Sequence, residues 1–183
     1  MTMRLLITGG AGCLGSNLVE RYFPQGHEIC VIDNFATGKR EVVPEQPGLR
    51  VIKGSIADLE LVESAFADFR PTHVIHSAAA YKDPSDWVED AQTNVLGSIH
   101  VAKAALKVCV TRLINFQTAL CYGRPSTVPI PVEHPTAPFT SYGISKTAGE
   151  SYLMQSRLQV VSLRLANICG PRLAIGPIPT FYK

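Results

Sequence analysis

Within its first eight residues the chain runs through an apolar stretch, Arg4-Leu5-Leu6-Ile7, and enters Thr8-Gly9-Gly10-Ala11-Gly12-Cys13-Leu14-Gly15; an amphipathic segment from Ser16 to Phe23 follows. That order is strand, glycine turn, helix. Two spacings in it fit a dinucleotide fingerprint, Gly10-x-Gly12-x-x-Gly15 and Gly9-x-x-Gly12-x-x-Gly15. Glycine is required where a pyrophosphate closes on backbone N–H groups at a helix N-terminus, because a Cβ there would block the approach. Glycines alone also describe a tight turn; the strand before them and the helix after them favour the dinucleotide.

The rest of the chain repeats the alternation. Apolar bursts predict strands at Met3–Thr8, Glu28–Asp33, Leu49–Lys53, His73–Ser77, Leu113–Gln117 and Val160–Leu165. Helical patterns lie between them at Cys13–Phe23, Leu59–Phe69, about Asp86–Val108 and Tyr142–Met154. Near-continuous apolar strands separated by helices imply an α/β chain, with a doubly wound parallel sheet, helices on both faces and ligands at the carboxyl ends of the strands. Pro125, Pro129, Pro131, Pro135 and Pro138 forbid a helix interior or central strand over residues 124–138. A loop of that length just before Tyr142 is expected to border the active site.

Composition removes several classes of function. At 183 residues and 46% hydrophobic the chain supports one full domain with a sizeable core. A net charge of +2 without a basic run gives no case for nucleic acid or a membrane surface. No apolar run approaches the roughly 20 residues of a membrane span, and Leu5-Leu6-Ile7 is too brief for a signal-peptide core. A cytoplasmic location is the expectation. Cys13, Cys30, Cys109, Cys121 and Cys169 form no Cys-x-x-Cys pair and read as buried, reduced thiols. The histidines lack metal-ligand spacing, so no metal is expected.

Two further features carry chemistry. Asp33 ends the second strand, 24 positions after Gly9. A carboxylate there accepts ribose hydroxyls and repels a 2′-phosphate, favouring NAD over NADP. An ordinary turn aspartate in Asp33-Asn34 is the alternative, and Lys39 and Arg40 leave NADP open. In Tyr142-Gly143-Ile144-Ser145-Lys146, tyrosine and lysine stand one turn apart on one helix face. A neighbouring ammonium lowers a phenol's pKa, so Tyr142 is expected to act as general base near neutral pH. A surface pair has the same spacing; the glycine start and the proline-rich loop ahead of it point to an enzyme.

Taken in order, Thr8–Gly15, Asp33-Asn34, His76-Ser77-Ala78-Ala79-Ala80, Thr93-Asn94-Val95-Leu96-Gly97, Thr118–Gly123, Tyr142–Lys146 and Leu163-Arg164-Leu165-Ala166-Asn167 resemble the extended short-chain dehydrogenase/reductase family. The similarity covers essentially the whole chain. It is strongest to the NAD-dependent nucleotide-sugar epimerase/dehydratase group, UDP-glucose 4-epimerase-like, in the branch serving bacterial surface-polysaccharide (O-antigen, lipopolysaccharide) assembly. The resemblance implies a Rossmann-type NAD-binding domain over residues 1–170 that carries the catalytic residues. It also implies that residues 171–183 begin a substrate-binding lobe, most of which lies beyond them, and that copies pair as a homodimer through the long helix and the Tyr142 helix.

The resemblance also implies roles. Tyr142 is similar to the catalytic base and Lys146 to its partner, which also binds nicotinamide ribose. Thr118 matches the residue that hydrogen-bonds the sugar hydroxyl, unless it merely ends a strand. Gly9, Gly12, Cys13, Leu14, Gly15, Asp33, Asn34, Gly38, Ser55, Ile56, Ala78, Ala79, Ala80 and Asn94 fall at cofactor positions. Asn167 matches a contact to the nucleotide-sugar phosphates, unless it caps a turn. The chain departs from the family where an aspartate often follows the glycine closing the third strand: Ser55 follows Gly54 here, and Asp58 comes later. Cys13 replaces a larger apolar or aromatic residue, and Lys82 lies at an unusual distance from His76.

The pair after Thr118 selects among reactions. Sugar-nucleotide 4,6-dehydratases carry Asp-Glu at that point, whereas this chain has Ala119-Leu120, which move no proton. The reading is therefore hydride abstraction from the sugar C4 to NAD⁺, a 4-keto intermediate, and hydride return to the other face of a UDP-sugar. The alternatives are a dehydrogenase or reductase of the same family and a non-catalytic NAD-binding protein or inactive fragment.

Overall fold

The computed structural model describes residues 2–175 and 180–181. The end of the expected lobe start, at 176–179 and 182–183, lies outside the described residues. All six expected strands form: β1 Arg4–Thr8, β2 Glu28–Asp33, β3 Leu49–Lys53, β4 His73–His76, β5 Arg112–Thr118 and β6 Val160–Leu165. They make one parallel sheet in the order β3-β2-β1-β4-β5-β6. This is the Rossmann-type doubly wound sheet. The chain winds outward from β1 in one direction and from β4 in the other, which opens a crevice beyond the carboxyl ends of these two strands.

Alternation within the strands builds two cores. Leu6, Cys30, Ile32, Val74 and Leu113 face α2 (Leu59–Phe69), α4 (Gly97–Lys107) and Leu153 of α5 (Ser141–Gln155). Leu5, Ile7, Ile29, Val31 and Ile75 face α1 (Cys13–Tyr22). Each of the fully buried Leu, Ile and Val side chains contributes roughly 1.5–3 kcal/mol relative to exposure. Coverage on the α1 side thins toward the β6 edge. Val161 and Leu163 share the face of Ile114 and Phe116 and remain 41% exposed.

The structure differs from the sequence expectation in a few places. The helix expected over 86–108 is divided into α3 (Trp87–Asp90), a π-helical stretch at Ala91–Leu96, and α4. β4 stops at His76: Ser77 donates its N–H and hydroxyl to Thr8 O, and the next N–H, that of Ala78, goes to the Thr8 hydroxyl. The proline-rich segment is a loop, as expected, but none of residues 123–141 lines the large cleft. It is held at the β6 side instead: Arg164 donates to Val132 O, and Ala137 N–H to Cys121 O. The thiols are also not uniformly buried. Cys30 and Cys121 are interior and Cys13 half-buried, whereas Cys109, in a left-handed turn after α4, and Cys169, after β6, are exposed. All five are free.

Among the described residues, no helix is long and apolar enough to cross a membrane, and no group of three His, Cys, Asp or Glu side chains is arranged to hold a metal ion.

Candidate functional site

A cleft of about 920 Å³ opens at the carboxyl ends of the strands. It runs from the glycine turn to β5 and α5, and its lining includes Gly9, Gly12, Cys13, Leu14, Gly15, Asp33, Asn34, Ser55, Ile56, Ala78, Ala79, Ala80, Thr118, Tyr142 and Asn167. These residues are scattered over most of the sequence. The doubly wound topology brings them together.

The turn resolves the two glycine spacings. Gly9, Gly12 and Gly15 line the cleft, while Gly10 faces away, where a Cβ would stand 2.6 Å from Val31. Gly9 is in the left-handed region at φ +68, and a Cβ on it would lie 2.7 Å from Ala78 N. A Cβ on Gly15 would lie 2.3 Å from Gly9 O, so the first turn of α1 sits directly on the loop before it. Gly12 caps α1 with no side chain, and no acidic residue occupies the first turn. This leaves a helix N-terminus free to meet an anion. The arrangement fits a dinucleotide pyrophosphate.

Asp33 is engaged with the protein as well as facing the cleft. Its carboxylate accepts from Ala11 N–H at 2.8 Å and Phe35 N–H at 2.7 Å, which ties β2 to the glycine turn. Asn34 accepts from Ala36 N–H, and Gly38 packs on Ala11, where a Cβ would come within 2.6 Å of main-chain atoms. Gly38 therefore supports the turn and does not line the cleft. Beyond β3, Ser55 and Ile56 line the cleft, while Asp58 accepts from Leu61 N–H as the cap of α2.

Two residues expected to touch a cofactor are buried behind the cleft wall. Asn94, 1% exposed, accepts from Ala80 N–H and donates to Ala80 O and to Ser145 Oγ. With both amide hydrogens given to protein groups and its oxygen on Ala80 N–H, it holds the Ala78–Ala80 segment against α5. Lys146 is 4% exposed and likewise absent from the lining, because its turn of α5 faces the interior.

Burial also reverses the electrostatic expectation for Tyr142. Its phenol is pushed up to about 12, first by burial and then by Tyr81 and Asp90. The Tyr81 ring meets it edge-on with centroids 6.2 Å apart. Lys146 is lowered to about 8 by burial, with Glu150 pulling the other way. In this chain desolvation outweighs any lowering of the phenol by the ammonium, and at neutral pH Tyr142 holds its proton. The helix is nonetheless aimed at the cleft: Thr140 Oγ1 accepts from Gly143 N–H, and Ser141 Oγ donates to the buried Asp90 at 2.6 Å. Thr118 ends β5 at the cleft, its hydroxyl accepting from Leu120 N–H at 3.2 Å.

Sequence reasoning missed a buried polar chain behind these residues. Ser98 Oγ donates to Asn94 O, so its oxygen accepts from His76 Nε2–H. His76 Nδ1 then accepts from the Thr8 hydroxyl, whose oxygen accepts from Ala78 N–H. One proton order satisfies every member. His76 is fully buried, and burial with Lys146 lowers it to about 3, so the imidazole is neutral. The motif His76–Ala80 was visible in the sequence; its partner Ser98, in another element, was not.

A model described as the NAD dependent epimerase/dehydratase family matches residues 5–180. The chain belongs to that family. Curated relatives include UDP-glucose 4-epimerase of Corynebacterium glutamicum, 34% identical over 95% of this chain and 54% of that protein, and that of Azospirillum brasilense, 31% identical over 91% and 49%. Among solved structures, Bordetella bronchiseptica WbmG, in complexes with NAD and with NAD and UDP, is 75% identical. It superposes with a TM-score of 0.96 over 100% of this chain and 59% of that chain. Bordetella bronchiseptica WbmH with NAD⁺ is 46% identical with a TM-score of 0.96, over 99% of this chain and 61% of that one. The chain thus spans about half the length of the curated relatives it matches. NAD, the cofactor read from the glycine turn and Asp33, is the one in the family's own description.

Proposed function

We propose that this chain forms the cofactor-binding and catalytic part of an NAD-dependent nucleotide-sugar 4-epimerase with a UDP-sugar as substrate. The observation that carries the reading is the single cleft that holds the Gly9–Gly15 turn at one end and Thr118 with Tyr142 at the other. The family match, the UDP-glucose 4-epimerase relatives and the neighbour crystallised with NAD and UDP support it.

NAD, when bound, supplies the hydride acceptor and, in its oxidised form, a positively charged ring. The chain's residues do the rest. The N–H groups at the start of α1 receive the pyrophosphate, and the free lone pairs of Asp33 take ribose hydroxyls. Ala78–Ala80 leave room beside the cofactor. Thr118 hydrogen-bonds the sugar hydroxyl, and Tyr142 Oη exchanges its proton. Since the phenol is protonated in this chain at neutral pH, it would first release its proton to solvent, favoured by positive charge in the cleft, and the phenolate would then accept the proton of the sugar hydroxyl. Lys146 supplies its cationic charge from behind the wall. Asn167, exposed at the cleft edge after β6, receives the nucleotide-sugar phosphates. Ala119 and Leu120 beside Thr118 offer no acid or base for dehydration.

Helix 87–107 and α5 lie side by side and leave Trp87, Val88, Ile144, Tyr152 and Met154 exposed, which supports pairing of two copies through these helices.

The test is turnover of UDP-hexoses and their N-acetyl and uronate forms with NAD⁺, using the full-length natural protein. Interconversion of 4-epimers without net NADH is expected. Stoichiometric NADH would assign a dehydrogenase instead, and no conversion of any of these would overturn the reading.

A further inference from the structure

Tyr142, Lys146 and Glu150 follow one another at intervals of four along α5, so they share one helix face. Only the first opens on the cleft; Glu150 is 6% exposed. Its carboxylate is the centre of a polar cluster that joins α5 to the last two strands. Ser162 Oγ donates to Oε1 at 2.6 Å, Arg164 donates to both oxygens, and Gln117 Nε2 donates to Oε2 at 3.2 Å. The other end of the Gln117 amide is also used: its Oε1 accepts from Thr118 N–H at 2.8 Å. A line of hydrogen bonds thus runs from α5 through Glu150 and Gln117 to the main chain at Thr118.

A buried carboxylate is costly unless it is fully paired, and an apolar residue of similar volume would join helix to sheet without the expense. Glu150 keeps its charge because hydrogen bonds from Ser162, Arg164 and Gln117 outweigh burial and hold its carboxyl below the ordinary range. We propose that Glu150 is a positioning residue: through Gln117 it fixes Thr118 at the cleft that Tyr142 also lines, and its negative charge balances the ammonium of Lys146 on the same helix face. This rests on the catalytic roles proposed above for Thr118, Tyr142 and Lys146, and it extends them to a residue that touches neither cofactor nor substrate.

The surroundings of Lys146 support the charge balance. His76 on β4 faces it and is neutral; Glu150 on α5 is the acid that raises it; Arg164 on β6 and the buried Cys121 face Glu150. Without the carboxylate, burial alone acts on the ammonium, and its proton leaves at lower pH.

The test is Glu150→Gln, which keeps the shape and removes the charge. Lysine- and threonine-labelled protein is followed by NMR, with Lys146 assigned from Lys146→Arg. Two changes are expected: Lys146 titrates at lower pH than in the wild type, and the Thr118 amide exchanges faster with solvent. In the full-length protein kcat should fall about 10- to 100-fold, the range of a misplaced reacting group, with KM within about twofold. Either NMR reading left at its wild-type value in folded Glu150→Gln overturns the proposal. If that variant does not fold, Gln117→Met keeps the Glu150–Arg164 pair and cuts the link to Thr118. Unchanged Thr118 exchange in Gln117→Met then overturns it. The NMR readings need no turnover, so they stand apart from a failure of the epimerase assignment itself.

Discussion

At Tyr142, and at Lys146 behind the cleft wall, desolvation outweighs the nearest charges. Tyr142 and Lys146, four apart, looked like a simple phenol–ammonium pair, yet burial pushes the phenol up and the amine down. Replacing Tyr142 by Phe removes the proposed proton carrier and should lower kcat of the full-length protein by about 100-fold or more, as loss of a general acid–base does. NAD affinity, measured by calorimetry, should be unchanged. His76 makes a separate prediction about pH. Its folded pKa of about 3 lies below the ordinary 6.5, so between these values the unfolded chain binds the extra proton. Its contribution to stability is complete above pH 6.5 and is lost as pH falls toward 3. In urea denaturation at a series of pH values, wild-type stability should drop on acidification, and His76→Gln should be flatter over that range.

At the scale of elements, close approaches of backbone set the site. α5 comes so near to the π-helical stretch that a Cβ on Gly149 would lie 2.3 Å from Asn94 O. Gly149→Ala should destabilise by about 1–3 kcal/mol, the usual cost of overpacking, and chemical denaturation measures it. Gly15→Ala meets main chain at the glycine turn and should abolish NAD binding, read by calorimetry, even where the protein folds. All six strands were legible in the sequence, because apolar runs are local signals, whereas the bond from Ala11 N–H that ties Asp33 to the glycine turn was not. The π-helical stretch was not. Within it Asn94 bonds Ala80 and Ser145 at once, and neither partner is near it in sequence. The proline-rich loop was legible as a loop, but its position was set by Arg164, a residue of another element.

For the molecule as a whole, cofactor binding and stability are linked. At 100 times its Kd, NAD should stabilise the fold by ~2.7 kcal/mol, and a thermal melt reads this as a raised midpoint. NADP at the same concentration should give a much smaller shift, since Asp33 faces the cleft where a 2′-phosphate would sit. Pairing through helix 87–107 and α5 would cover Trp87, which is 71% exposed. Light scattering should show two copies of the full-length protein, and Trp87→Glu with Ile144→Glu should yield one.

The sequence by itself determined the parallel α/β architecture, the glycine turn, the NAD-favouring acid and the candidate trio Thr118, Tyr142 and Lys146. All but Thr118 are written in a short stretch of chain, where periodicity, a missing Cβ or a helical spacing leaves a readable mark; Thr118 was singled out by the resemblance to the family. Tertiary structure alone decided which glycines face the cleft, that Asn94 and Lys146 stand behind its wall, and that Glu150 joins α5 to Thr118. Burial and hydrogen-bond partners belong to segments brought together from far along the chain, and desolvation acts only once they have met.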